Sequence, residues 1–417
     1  MLAIIKQIKL KKSLIPFLVI ALLIRAYLLF LPAFKIDIDA WIAWSLRLHD
    51  VGFTNFYSPT YFSDYLPGYL YILYLIGFVQ KVFSLPLDDF AIVLKVIPTL
   101  AEIGLGFFIY HILKHTSETK RLLAVCLIWF NPGLLFNSTV WGQADSLLSL
   151  TLLVSVYFLE QKKPIHSASS GAVSFLLKPQ TILIAPVFLL DLITRFSLKK
   201  LGQFIFIPLF VLFILSWPFF QNPIFGLIEK TLNTANGYQY TSLFAFNIWG
   251  IIGMWQDDTQ KFGLISYQQW GTILFAAAWL ITTFIFLKKK FSYYLLSSLA
   301  ALFFFFLPTR VHERYLYPAI PFLVISAFST KSLQKSLIIS TIILSLLYFL
   351  NLYYVYIYYN ENFLHLQQLL TYQPVYNFLD HNLKLLSFLQ TLIFIIIVWS
   401  ILKSAYDRKD KKSLKSE

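Results

Sequence analysis

Apolar stretches separated by short polar turns run the length of the chain. Segments long enough to cross a bilayer, or nearly so, fall at 14–34, 90–113, 121–140, 145–161, 165–177, 180–194, 201–219, 268–287, 291–308, 315–329, 336–354 and 386–403. About 20 apolar residues in helical form cover the hydrocarbon of a membrane, so these twelve segments predict an all-α polytopic membrane protein. Several are shorter than that, notably 165–177 with its Ser-rich start.

A thirteenth candidate, 66–83, sets the topology of everything after it. If it spans, six Lys/Arg of the later loops face the cytoplasm; if it does not, nineteen do. The positive-inside rule favours the second arrangement. Tyr65, Tyr69, Tyr71, Tyr74 and Gln80 also suit a helix lying along the membrane surface. Both termini are then cytoplasmic, and the outer face receives residues 35–89, the turns at Trp141, Lys178 and Arg310, and the loops 220–267 and 355–385.

Composition supports this frame. The chain is 58% hydrophobic, 18% aromatic and only 13% charged, with a mean hydropathy of +0.69, whereas soluble domains carry about a quarter charged residues. A net charge of +14 would suggest nucleic-acid binding in a soluble protein. Here the excess lies in short Lys/Arg clusters between apolar stretches, so the expected partners are membrane lipids and not nucleic acid. A single cysteine, Cys126, excludes an internal disulfide. Lys6, Lys9, Lys11 and Lys12 precede the first apolar run, which lacks a small-residue cleavage site and reads as a retained helix.

The polar residues of the outer face carry the candidate chemistry. Asp37 and Asp39 follow the first helix, roofed by Trp41 and Trp44; a partly desolvated carboxylate there can act as a general base, or both can be first-turn helix acids. Asp64-Tyr65-Leu-Pro67-Gly68-Tyr69 opens the 66–83 segment, with Asp64 also placed to cap it. Asn131-Pro132-Gly133 breaks the 121–140 helix, and Trp141-Gly142-Gln143-Ala144-Asp145 follows. Gln143 and Asp145 can bind sugar hydroxyls, or Asp145 can cap the next helix.

Lys178-Pro179-Gln180 places an ammonium on the face where lysine is scarce; it needs an anionic partner, whether lipid phosphate, Asp37 or a substrate phosphate. The turn from Pro308 to Pro318 holds Arg310, His312, Glu313 and Arg314 between two apolar helices. Two guanidiniums there suit a phosphate, while an internal Glu313–Arg pair would explain only one of them. Arg25, in mid-membrane, either pairs with Glu102 or snorkels. Asp257 and Asp258 read as solvated surface. Tyr238, Trp249, Trp255 and the tyrosines at 353–359 belong to an interfacial aromatic belt or stack on sugars. Nucleotide-loop and zinc-hydrolase patterns are absent from the sequence.

These motifs in this order resemble the GT-C superfamily of membrane glycosyltransferases, and within it bacterial mannosyltransferases related to the GPI-anchor mannosyltransferase Gpi18. The resemblance covers roughly residues 10–320. It implies a bundle of about twelve transmembrane helices with membrane-parallel helices in the first outer loop. Residues 1–200 would form the catalytic half, 201–403 a second transmembrane half carrying the donor-phosphate turn at 308–318, and 404–417 a basic cytoplasmic tail.

The implied activity is transfer of a hexose, mannose favoured, from a polyprenyl-phosphate donor to a glycolipid or glycan acceptor. It proceeds with inversion on the outer face of the plasma membrane; no cofactor is required, because the cationic side chains can already neutralise a single phosphate, and metal dependence stays open. Residue by residue, Asp37 becomes the base with Asp39 the alternative. Lys178, Arg310, His312 and Arg314 would hold the donor phosphate. Asp64, Tyr65, Trp141, Gln143, Asp145, Gln180 and Glu313 would line the sugar and acceptor site. A lipid flippase or secondary transporter is the competing reading, although its charges would be expected near the membrane midplane.

Overall fold

The computed structural model describes residues 11–289, 291–366 and 370–407, the side chains of 405–407 excepted. Lys6, Lys9 and the tail from 408 lie outside the described residues. The chain is mostly helical. Its α-helices are α1 (Ile15–Leu28), α2 (Lys35–Val51), α3 (Pro67–Phe83), α4 (Leu87–Ile112), α5 (Glu118–Trp129), α6 (Pro132–Leu135), α7 (Asp145–Glu160), α8 (Pro164–Leu177), α9 (Ala185–Thr194), α10 (Leu198–Ser216), α11 (Pro223–Asn236), α12 (Ile248–Ile252), α13 (Tyr267–Lys289), α14 (Tyr293–Phe306), α15 (Ala319–Ser329), α16 (Gln334–Ile357), α17 (Gln373–His381) and α18 (Leu383–Asp407). Proline stands in the first turn of α1, α3, α6, α8, α9, α11 and α17, where its missing N–H costs nothing and its fixed φ is already helical.

Among the described residues, five helices are long and apolar enough to cross a membrane: Leu87–Ile112, Leu198–Ser216, Tyr267–Lys289, Gln334–Phe363 and Leu383–Ser404. A sixth span is available if Glu118–Trp129 and Pro132–Trp141, bent by 44°, count as one. The twelve-span expectation therefore exceeds the helices that reach spanning length. The difference lies in turns that consume apolar sequence. Asn131 caps α6 by accepting from Gly133 N and Leu134 N, and Pro179–Ile184 winds as a 3-10 turn before α9. At about 1.5 Å per residue, the 14 residues of α8 and of α14 reach well short of the ~30 Å hydrocarbon thickness.

Segment 66–83, expected not to span, folds as the 17-residue α3. It packs on α2 through Tyr69, Leu70, Leu73 and Ile76. Ser45 Oγ donates to Leu73 O at 2.9 Å. The approach requires glycine: a Cβ on Gly77 would stand 2.4 Å from Ser45 Oγ, and one on Gly68 2.6 Å from the Leu176 carbonyl carbon. This α2–α3 pair, held on α8, is the platform of the 35–83 segment.

The centre of the bundle is apolar, with α15 buried from Ala319 to Phe328, while α10 presents Ile205, Phe206, Phe210 and Ile214 outward. A charge pair sits inside it. Arg25 is 1% and Glu102 0% exposed; Arg25 Nη2 donates to Glu102 Oε1 at 2.6 Å and to Trp129 O at 2.9 Å. Of the two readings for Arg25, pairing is the one realised.

Leucine in place of Arg25 leaves an uncompensated buried carboxylate. The variant is expected to lose about 3–5 kcal/mol, seen as a lower midpoint of thermal unfolding. Arg25→Leu combined with Glu102→Leu should recover most of the loss. A double variant as unstable as the single one would show that the Arg25 packing, and not the charge, is what matters.

Candidate functional site

A cavity of about 230 Å³ opens between the 34–65 segment and the 308–318 turn. One water needs ~10–15 Å³ of such space, so the cavity has room for a group of monosaccharide size. Asp37, Asp64, Tyr65, His312, Glu313 and Arg314 line it together. Its apolar walls include Trp41, Trp44, Tyr238, Phe244, Trp255 and Tyr359. Tyr238, Trp255 and Tyr359 thus leave the aromatic belt to face a cavity. Trp249 does not; it is buried and donates from Nε1 to Leu307 O at 2.8 Å.

Asp37 lies in the first turn of α2, yet it makes no cap. Its Oδ2 accepts from Trp141 Nε1 at 2.8 Å and from Gln143 Nε2 at 2.6 Å. No described residue donates to Oδ1. Both donors are delivered by the turn after α6. Residues Phe136–Trp141 wind as a π-helix, Gly142 turns the chain at φ +90°, and a Cβ there would meet Lys95 Cγ at 2.8 Å. Phe34, the residue ahead of α2, stacks on Trp141 with ring centroids 4.0 Å apart. Trp141 is therefore a support beneath Asp37 and not a wall of the cavity.

Gln143 is fully buried, and its orientation is dictated by charge. Its Oε1 accepts from Lys178 Nζ at 2.8 Å, from Tyr65 OH at 2.9 Å and from Ala144 N. An ammonium has no acceptor, so the amide oxygen must face Lys178 and the amide nitrogen must face Asp37. Lys178, 4% exposed, also donates to Asp145 Oδ1 at 2.5 Å. Asp145 Oδ2 accepts from Asn137 Nδ2 at 3.1 Å, and Asn137 donates to Tyr348 OH at 3.2 Å. Tyr348 OH in turn donates to Arg314 O at 3.3 Å.

This chain of contacts corrects three expectations. The anionic partner of Lys178 is Asp145, not a phosphate or Asp37. Asp145 neither caps α7 nor reaches the cavity, and Gln143 acts on Asp37 from behind. Gln180 is also absent from the lining and meets Tyr315 instead.

The 308–318 turn divides its cations. Arg310 takes a left-handed backbone (φ +64°) and turns away from the cavity. Its Nε and Nη2 grip Asp258 at 2.8 and 3.2 Å, and Thr309 Oγ1 donates to the same carboxylate at 2.7 Å. Arg310 is thus removed from the phosphate set, and Asp258, expected at the surface, is fully buried; a buried carboxylate needs the charge that Arg310 supplies. A short parallel pairing, Ser242 with Val311 and Leu243 with His312, fixes the turn against the 240–247 loop.

His312 and Arg314 remain on the cavity wall. Arg314 Nη1 donates to Glu313 Oε1 at 3.3 Å, while its buried Nε has no acceptor among the described residues. An unpaired buried N–H is costly; the guanidinium as a whole borders the cavity, where its fork suits an anion. Burial and the adjacent Arg314 charge push the His312 imidazole below its ordinary range, so it is neutral at pH 7. Burial works to raise Glu313, but the hydrogen bond with His312 and the charge of Arg314 outweigh it, and the carboxyl is held below its usual range.

Asp39, the alternative base, is 49% exposed and pairs with Lys35 one turn away; it lies outside the cavity lining. Asp64 lies inside it. Burial and the nearby Asp37 charge push its carboxyl above the ordinary value of 3.8, against a smaller pull from Arg314. Asn137 and Tyr348 were missed in the sequence. The available signal was an Asn and a Tyr within apolar helix, which must find a buried partner.

Comparison with protein-family models gives no match, and comparison with curated proteins gives none either.

Because the folded state raises Asp64, its ionisation opposes folding. The contribution is most favourable below pH 3.8, declines as pH rises towards the folded value and is constant above it. Asp64→Asn is expected to unfold at a higher temperature than the parent at pH 7, with the gap closing towards pH 4. An unchanged gap across that range would remove the assigned environment of Asp64.

Proposed function

We propose that the chain is an inverting glycosyltransferase that moves a hexose, mannose favoured, from a polyprenyl-phosphate donor to a hydroxyl of a glycolipid or glycan. The fold would be GT-C-like, in the plasma membrane, with the cavity on the non-cytoplasmic side. The observation that carries this reading is that Asp37 and Arg314, remote in sequence, border one cavity of sugar size.

The chemistry follows from the positions. Trp141 and Gln143 occupy Oδ2 of Asp37, leaving Oδ1 to take the proton of the acceptor hydroxyl. The acceptor oxygen attacks C1 of the sugar as the C1–O bond to phosphate breaks, and that electron pair stays on the phosphate. Arg314, whose guanidinium borders the cavity, would receive the growing negative charge. Donors already fixed in place stabilise such charge more in the transition state than in the ground state. Neutral His312 can add a hydrogen bond but no charge. Asp64 and Tyr65, on the same wall, would contact the sugar or the acceptor. Lys178, Asp145 and Gln143 would position Asp37 and touch no substrate. One displacement needs one base, in keeping with inversion.

The test is transfer by isolated membranes from radiolabelled polyprenyl-phosphate hexoses. Asp37→Asn is expected to lose transfer by about 10²–10⁴-fold with donor binding retained, while Asp39→Asn stays near the parent. Arg314→Ala should raise KM for the donor. Undiminished transfer by Asp37→Asn would end its role as base, and no transfer from any such donor would end the reaction class.

A further inference from the structure

A second pocket, of about 240 Å³, lies between the α7–α8 turn and the α9–α10 turn. Lys162, Lys163, Arg195, Lys199 and Lys200 line it, against the single carboxylate of Asp191. Its floor is built in advance. Arg195 and Lys200 both pair with the buried Asp191, and Tyr293 OH donates to the same carboxylate at 2.7 Å. Arg195 Nη2 also donates to Leu159 O at 3.1 Å, tying the two turns together. Glu160, at the end of α7, accepts from the Tyr293 amide at 3.1 Å.

The side chains of Lys162, Lys163 and Lys199 are exposed and donate to no described residue. Three cations therefore face a preformed hollow whose one carboxylate is already neutralised. Beside it Ile165, Ile193, Phe196 and Leu198 are strongly exposed. A cationic hollow edged by outward apolar side chains fits an amphiphile with an anionic head.

α7 separates this pocket from the cavity described above. Asp145 stands at one end and Glu160 at the other, about 22 Å apart at 1.5 Å per residue. The pocket therefore belongs to the opposite end of the bundle and cannot share the sugar cavity.

We propose that this pocket binds a phosphate ester, and that its apolar edge makes the ligand the headgroup of an anionic membrane lipid. Lys162, Lys163 and Lys199 contact the phosphate. Arg195 and Lys200, held by Asp191, shape the floor and add field. The inference stands apart from the glycosyltransferase reading and survives its failure.

The test uses the full chain in detergent with phosphatidylglycerol or phosphatidylcholine added, and bound lipid read by native mass spectrometry. Phosphatidylglycerol is expected to be retained in preference. Lys162→Ala/Lys163→Ala/Lys199→Ala should weaken that retention by about tenfold or more. A control of equal charge, Lys331→Ala/Lys335→Ala/Lys403→Ala, should change it by less than about twofold. Equal losses in the two triple variants would mean diffuse attraction to a basic protein and overturn the site. Equal retention of both lipids would do the same. Displacement of phosphatidylglycerol by millimolar inorganic phosphate would overturn the lipid assignment in favour of a soluble phosphate.

Discussion

A buried ammonium organises the end of this molecule that carries the cavity. Lys178 sits between apolar segments with almost no access to solvent, and an unpaired charge there would cost several kcal/mol. Asp145 and the Gln143 carbonyl satisfy it. Once Gln143 is committed to Lys178 through its oxygen, its nitrogen has one direction left, and Asp37 is in that direction. The orientation of the proposed base is thus a consequence of pairing a lysine that lies behind it. Breaking a buried pair of this kind costs about 3–5 kcal/mol, whereas the exposed Lys35–Asp39 pair is worth below about 1 kcal/mol. The buried network therefore decides which of the two neighbouring aspartates is held in place.

The opposite wall is fixed by a different expenditure of charge. Arg310 adopts a left-handed backbone, which costs about 1–2 kcal/mol for a residue with a Cβ. The forked contact with Asp258 and the bond from Arg310 N to Tyr240 O at 2.9 Å offset it. With that guanidinium consumed in structure, Arg314 is the cation left on the cavity, and Tyr348 links its backbone to the Asp145 network. Both walls then share one set of hydrogen bonds. A change at Asn137 or Tyr348 would be felt at Asp37 and Arg314 together, although neither residue lines the cavity.

The α7–α8 hairpin gives the molecule two chemically distinct ends. At one, acids and cations are paired inside and the Arg314 side chain borders a cavity. At the other, one acid is over-neutralised and three lysines remain free. The apolar helices between them keep the two ends apart.

Much of this architecture was legible in the residue pattern. The apolar runs became helices, the break at Asn131-Pro132-Gly133 fell where its residues demand one, and 66–83 formed a helix short of spanning length. The turns holding Asp37, Asp64, His312 and Arg314 were also marked in advance, because polar residues in so apolar a chain are few. Span number was not legible, since hydropathy does not reveal how many apolar residues a 3-10 or π turn consumes. The assignment of charges was not legible either. Sequence placed Lys178, Asp145 and Arg310 in the right turns but could not choose their partners, and it left Asp258 at the surface. That choice depends on which buried charges meet across the folded chain, and only the tertiary structure brings Asp145 to Lys178, Asp258 to Arg310, and Asp37 to the cavity that Arg314 shares.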